Sequence, residues 1–168
     1  MITIPSDFSP AERQQRAEAI FKKGYNCAQS VVLAFSDLLP VNEDTLATLA
    51  TGFGGGVGHM REVCGTVSGM TILAGFISPA TDLGNIHVEK STNYALVQEF
   101  AARFRELNGS IICRELLAGA GAAATGAEAS EAEARTAHYY RKRPCGMLCG
   151  LAARIVADWL LEHSASLR

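Results

Sequence analysis

The sequence predicts an all-α fold, a single-domain bundle of about five to seven helices, from three observations. Apolar residues recur at three- and four-residue spacing, and no stretch sustains the apolar–polar alternation of a half-buried strand. Several of these stretches open on a residue that can cap a helix and close on glycine or proline. Alanine and glycine are abundant and β-branched runs are short, a composition suited to closely packed helices. At 168 residues the chain, read as one domain over residues 1–168, can bury a core without staples.

The totals exclude several partners. With 15 basic and 17 acidic residues the net charge is −2, which creates no field for nucleic acid or an anionic membrane. The longest apolar stretch, Gly69 to Ile77, is too short to span a bilayer, so no membrane insertion is expected. The opening Met-Ile-Thr-Ile-Pro-Ser-Asp lacks a basic start and an apolar core, and the expected location is cytoplasmic.

Taken in order, Ser9 caps the first helix, Pro10 stands where no amide donor is needed, and Glu12 completes a capping box. Ala17, Ile20 and Phe21 form its apolar face and Gly24 ends it. Asn26 and Gln29 repeat that grammar for a second helix and place Cys27 at its first position. Ala28, Val31, Val32, Phe35, Leu38 and Leu39 give it a wide apolar face as far as Pro40. A third helix runs from Asn42 to Thr51, with Leu46, Leu49 and Ala50 inward.

A Gly-rich loop follows, with Gly52, Gly54, Gly55, Gly56 and Gly58 inside seven residues. It is not a nucleotide loop: no Gly-Lys-Ser/Thr follows, the Gly-x-Gly-x-x-Gly spacing fails at Val57 and His59, and no β-rich run precedes it. A hinge between helices is the plain alternative. Cys64 then leads the central helix, where Gly65, Gly69 and Leu73 form a face that another backbone can approach. Gly75 and Pro79 mark its end.

After a loop from Ser78 to Asn85, a helix from His87 to Leu107 carries a core stripe of Tyr94, Val97, Phe100, Ala101, Phe104 and Leu107. Asn108-Gly109 ends it, and Ser110 to Leu117 forms a short helical piece with Cys113 in its opening turn. Gly119 to Ser130 has no bulky side chain and is expected to be a mobile insertion. It tails into a weak acidic helix near Glu128 to Arg135, so the insertion covers about 119–134. Pro144 opens the last helix, in which Cys145, Cys149 and Ala152 share one face. Arg141 to Arg143 reads as a solvated lead-in, or as an offset for an anionic centre nearby. Arg61-Glu62 reads as a surface pair, and Thr66 and Ser68 as hydroxyls bonding back to the helix.

Five cysteines are the informative total. In a reducing compartment structural disulfides are disfavoured, and the chain has no Cys-x-x-Cys. Cys27, Cys64, Cys113 and Cys145 each lie at or within a turn of a helix N-terminus, where free amides and the dipole favour a thiolate. Converged, they would suit an iron–sulfur cluster or a tetrahedral zinc; without metal, low-pKa thiols able to form reversible disulfides. His59 in the glycine loop is a further candidate ligand, although a loop histidine is more often solvated.

The blocks Tyr25-Asn26-Cys27-Ala28-Gln29-Ser30-Val31, Gly52-Phe53-Gly54-Gly55-Gly56, Val63-Cys64-Gly65-Thr66-Val67-Ser68-Gly69 and Cys113-Arg114-Glu115-Leu116-Leu117 resemble the C_GCAxxG_C_C family. That family is described as redox-active, and its cysteine blocks resemble the iron–sulfur-associated domain of split-Soret cytochromes. The resemblance implies a four-cysteine redox or metal site at Cys27, Cys64, Cys113 and Cys145, supported by Gly54, Gly55, Gly56, Gly65 and Gly69. Cys145 is taken as the fourth because Ala152-Ala153 falls where the family has small residues, and Cys149 becomes an addition. Thr66 replaces the expected alanine.

Three functions follow. The leading one is electron transfer or redox sensing through an iron–sulfur cluster or similar thiolate-bound metal. The others are metal-free thiol–disulfide exchange, using Cys27 with Cys64 or Cys145 with Cys149, and a structural zinc or metal carrier. Enzymatic turnover is undecided, a redox partner is implied without identity, and a homodimer is left open.

Overall fold

Local sequence signals set most of the helix starts. In the computed structural model, which describes residues 2–122 and 130–165, Ser9 accepts a hydrogen bond from the Glu12 amide (3.3 Å) and opens α1, Pro10–Lys22. Asn26 and Gln29 exchange side-chain to backbone bonds, both 3.0 Å, at the head of α2, Cys27–Leu33. Asn42 caps α3, Glu43–Ala50. The longer helices follow: α4, Gly65–Ile77, and α5, Ile86–Asn108, which ends at Gly109 with φ 80°. The short α6, Cys113–Gly119, and α7, Ala137–Lys142, precede α8, Cys145–Glu162. The described residues are all-helical, without a named strand, and contain eight α-helices, one more than the upper end of the expected range.

The additional helix is α7. An acidic helix was expected at 128–135, of which 128 and 129 lie outside the described residues. Residues 130–136 are not helical; Thr136 instead caps the Tyr139 amide (3.2 Å), which starts the helix later. The insertion expected over 119–134 likewise falls in part outside the described residues. Its described ends are fastened, with Ala122 buried and Glu133 ion-paired to Arg61 and Arg143.

One cluster of buried apolar side chains draws on every helix except α7, whose Tyr139 and Tyr140 pack against it. Helix α1 lies along α8, and α2 packs on α4. The expected faces hold with three exceptions. Leu49, Tyr94 and Leu107 are exposed, because α3 and α5 bury narrower stripes, Leu46 with Ala50, and Leu96 with Phe100 and Phe104. Helix α2 also stops at Leu33, before Pro40. Buried Arg13 takes the Ala34 carbonyl (2.8 Å) and grips Asp37 with both terminal nitrogens (2.5 and 2.7 Å), and a 3₁₀ turn, Ser36–Leu38, replaces the continuing helix. The same guanidinium hydrogen bond holds the Asp37 carboxyl below its ordinary range.

The tightest helix contact depends on missing side chains. A Cβ on Gly69 would stand 2.8 Å from Val31 Cβ and 3.0 Å from the Ala28 carbonyl, inside van der Waals contact. Gly75, in the same helix, is exposed with nothing within 4 Å. Gly69→Ala is therefore expected to destabilise the protein by about 1–3 kcal/mol through overpacking. Gly75→Ala should stabilise it by up to about 1 kcal/mol through helix propensity. Urea denaturation of the two variants checks both signs.

Candidate functional site

All four cysteines singled out above begin a helix. Cys27, Cys113 and Cys145 are the first residues of α2, α6 and α8, and Cys64 is the N-cap of α4. Backbone pairing fixes two of them. Cys64 donates its amide to the Ile111 carbonyl (2.8 Å), and Cys113 donates to the Glu62 carbonyl (2.7 Å) around an isolated antiparallel bridge of Val63 with Ile112. Glycine permits the remaining approaches. A Cβ on Gly65 would lie 3.1 Å from Cys27 Cβ, and one on Gly56 would lie 2.7 Å from Cys113 Cβ.

The segment before Cys64 is a run of turns with an unusual backbone. Gly55, Gly56, Val57, Gly58 and His59 have consecutive φ values between 54° and 75°, and Arg61 adds another at 62°. Left-handed backbone is free to glycine but costs a β-branched or bulky residue energy, so Val57, His59 and Arg61 are held there by their surroundings. Long bonds close the run, from the Arg61 amide to the Gly55 carbonyl (3.1 Å) and from Glu62 to Gly56 (3.0 Å).

Cys27, Cys64, Cys113 and Cys145 line one cavity of about 390 Å³, together with Gly54, Gly55, Gly56, Gly65 and His59. The Cys27 thiol interacts electrostatically with those of Cys145 and Cys149. Cys149 is fully buried behind the cavity and donates to the Cys27 carbonyl (3.8 Å); it is not among the lining residues. Gly69 stands off the cavity, at the contact with Val31. Thr66 does not bond back to its helix. Its hydroxyl lies 3.1 Å from Cys64 Sγ.

The other side of the cavity is charged, by residues of which the sequence pointed only to the run ending at Arg143. Arg61 is 4% exposed, no surface residue; it donates to His59 Nε2 (2.7 Å) and to Glu133 (3.2 Å). Glu133 also receives Arg143. Arg143 is thus no solvated lead-in: its side chain is buried and its guanidinium stands 5.0 Å from the Tyr139 ring centre. Arg135 covers that ring (4.6 Å) and Phe21 (4.4 Å) and also lines the cavity. The sequence signal for this side was the basic run Arg141 to Arg143, whose alternative reading was an offset for an anionic centre nearby; Arg61, Glu133 and Arg135 gave none. Glu62, by contrast, is exposed and pairs with Arg114 (2.7 Å).

The expectation of low-pKa thiols is overturned for the metal-free protein. Burial pushes the Cys64 thiol up to about 11, against an ordinary 9.0, although the Thr66 hydroxyl pulls the other way. Burial also raises Cys113 and Cys149; Arg61 partly offsets this at Cys113, and the hydrogen bond with Cys27 at Cys149. Cys145 is raised because its thiol is held as a donor to Cys27, with burial second. At Cys27 the bond from Cys145 favours the thiolate, but the contact with Cys149, burial and the neighbouring thiols together prevail. Desolvation outweighs a helix dipole that acts only over a first turn.

Comparison with protein-family models gives a match over residues 25–159 to the family described as "Putative redox-active protein (C_GCAxxG_C_C)". The chain belongs to this family. No curated protein and no solved structure matches it. The C_GCAxxG_C_C match encloses all five cysteines and the segment that supplies Glu133, Arg135 and Arg143. Among the described residues no helix is long and apolar enough to cross a membrane.

The raised thiol values carry a pH dependence with a definite sign. The folded metal-free C_GCAxxG_C_C chain keeps the Cys64 proton between about pH 9 and 11, where the unfolded chain releases it. The stability this contributes is complete below pH 9 and is lost as pH rises through about 11. Urea midpoints measured from pH 8 to 11 under reducing conditions should fall, and Cys64→Ala should fall less.

Proposed function

We propose that Cys27, Cys64, Cys113 and Cys145 hold an iron–sulfur cluster, and that the protein transfers or senses electrons through it. The observation that carries this reading is that the four thiols surround a cavity. Among the described residues no three His, Cys, Asp or Glu side chains are placed to hold a metal ion, so the thiols would have to close on either a zinc or a cluster. The charged wall opposite the thiols suits an anionic group. Bound there, the cluster would supply one-electron chemistry.

The chain's own residues supply the conditions. The thiols are protonated when metal-free, so ligation releases protons and affinity rises with pH. Arg61 lowers the cost of a thiolate at Cys113. The Thr66 hydroxyl, 3.1 Å from Cys64 Sγ, can donate to a coordinating sulfur and favour a more reduced centre. Apolar Leu116, Leu117 and Leu148 exclude water from the same cavity.

A second reading has its own support. Cys27 and Cys145 line the same cavity and their thiols interact, which makes them the partners for a metal-free disulfide, a different pairing from either suggested by the sequence. Forming it by exchange with a disulfide of a partner would release the partner as a dithiol, which takes up the two electrons and two protons that the Cys27 and Cys145 thiols give up.

Anaerobic reconstitution of the full chain with ferrous iron and sulfide tests the proposal. Expected are equal amounts of iron and acid-labile sulfide with visible charge-transfer absorption. Serine at Cys27, Cys64, Cys113 or Cys145 should cut iron content by roughly tenfold or more, while Cys149→Ser keeps it. A colourless protein with stoichiometric zinc overturns the cluster. A protein that refuses metal and forms a Cys27–Cys145 disulfide establishes the second reading.

A further inference from the structure

We propose that the charged wall of the cavity is a binding subsite for a carboxylate ligand, and that the chain's own Glu133 sits in the ligand's place. The idea does not rest on the cluster, since it concerns the arginine side alone. A single oxygen of Glu133 receives Arg61 (3.2 Å) and Arg143, with His59 Nε2 3.9 Å away. Arg61 and Arg143 are held by backbone hydrogen bonds, and Glu133 reaches them from the non-helical segment 130–136. Arg61 is 4% exposed and held by a left-handed backbone between two backbone bonds, one to Gly55 and one from Arg114. Arg143 ends α7 with its amide on the Tyr139 carbonyl (3.2 Å) and its charge against the Tyr139 ring.

One donor of this wall stands unsatisfied, on Arg135. Three guanidinium groups face the cavity and one carboxylate, among the described lining residues. One terminal nitrogen of Arg135, Nη1, is buried with no hydrogen-bond partner, while Nη2 reaches the Tyr25 carbonyl (3.3 Å). A buried cationic donor left unpaired is costly, and the ligand that would satisfy it is an anion. The planar guanidinium fork matches a carboxylate in two parallel bonds, whereas Arg61 and Arg143 meet the same oxygen of Glu133. A tethered carboxylate competes at high effective concentration, so an external ligand would bind the native chain weakly and show itself when Glu133 is neutralised.

The test is made on the full chain, metal-free and reduced, so that its failure leaves the iron content of the reconstituted protein untouched as separate evidence. Succinate is the probe, titrated at constant ionic strength and followed by backbone amide NMR shifts at residues 54–61 and 136–144. Glu133→Gln is expected to bind succinate at least tenfold more tightly than the native chain. Adding Arg143→Lys should remove at least tenfold of that affinity with the amide spectrum otherwise native. Equal affinity in the native and Glu133→Gln chains overturns the occupied seat. No binding by a folded Glu133→Gln chain overturns the subsite, and binding of inorganic phosphate in preference to succinate overturns the carboxylate. Should Glu133→Gln not fold, Glu133→Asp, one methylene shorter, is expected to bind succinate more tightly than the native chain, and failure to do so overturns the proposal.

Discussion

Helix α4 approaches α2 so closely that no side chain fits between them at two points, and the geometry of the cavity depends on that approach. Gly65 and Gly69 stand on the contact, the first against Cys27 and the second against Val31 and the Ala28 carbonyl. Dispersion and burial make such a backbone contact favourable only when the facing surfaces interlock. Once they do, the starts of α2 and α4 are neighbours, and Cys27 and Cys64 face the same space. The bridge between Val63 and Ile112 then brings Cys113 alongside. The packing of α8 on α1 and α2 brings Cys145.

The parts of this arrangement encoded within a few residues were legible in the sequence. Ser9, Asn26 and Asn42 cap as their side chains suggest, and Gly109 turns left-handed at the end of α5. The placement of four cysteines at helix starts was legible for the same reason. What could not be read was anything set by distant neighbours. Arg61, next to an acidic residue after a glycine run, looks solvent-exposed until Glu133 is known to meet it, seventy-two positions away. Arg143 looked like part of a basic surface run until Tyr139 and Glu133 enclosed it. The early end of α2 depends on Arg13 reaching across from α1. The thiol acidities failed for another reason. Capping chemistry is local, whereas desolvation is a property of the whole surrounding volume.

Burial and charge oppose each other in this cavity. The thiols sit where neutral groups are favoured, while the groups opposite are guanidinium cations. Such a site is poorly matched to being empty of negative charge and well matched to receiving it, whether as ligated thiolate or as a bound anion. Aromatic faces reduce the strain meanwhile: Tyr139 stands against both Arg135 and Arg143, and Phe21 against Arg135.

The spread of the four cysteines along the chain also has a consequence in time. Each thiol belongs to a different helix, and Cys145 belongs to α8, the last of the described helices to leave the ribosome. Domains emerge N-terminal first, over seconds, and contacts between distant segments are the slowest to form. Throughout that interval Cys27, Cys64 and Cys113 exist without the helix that closes over them. A nascent chain therefore carries three of the cavity's thiols before α8, which brings the fourth, has docked against α1.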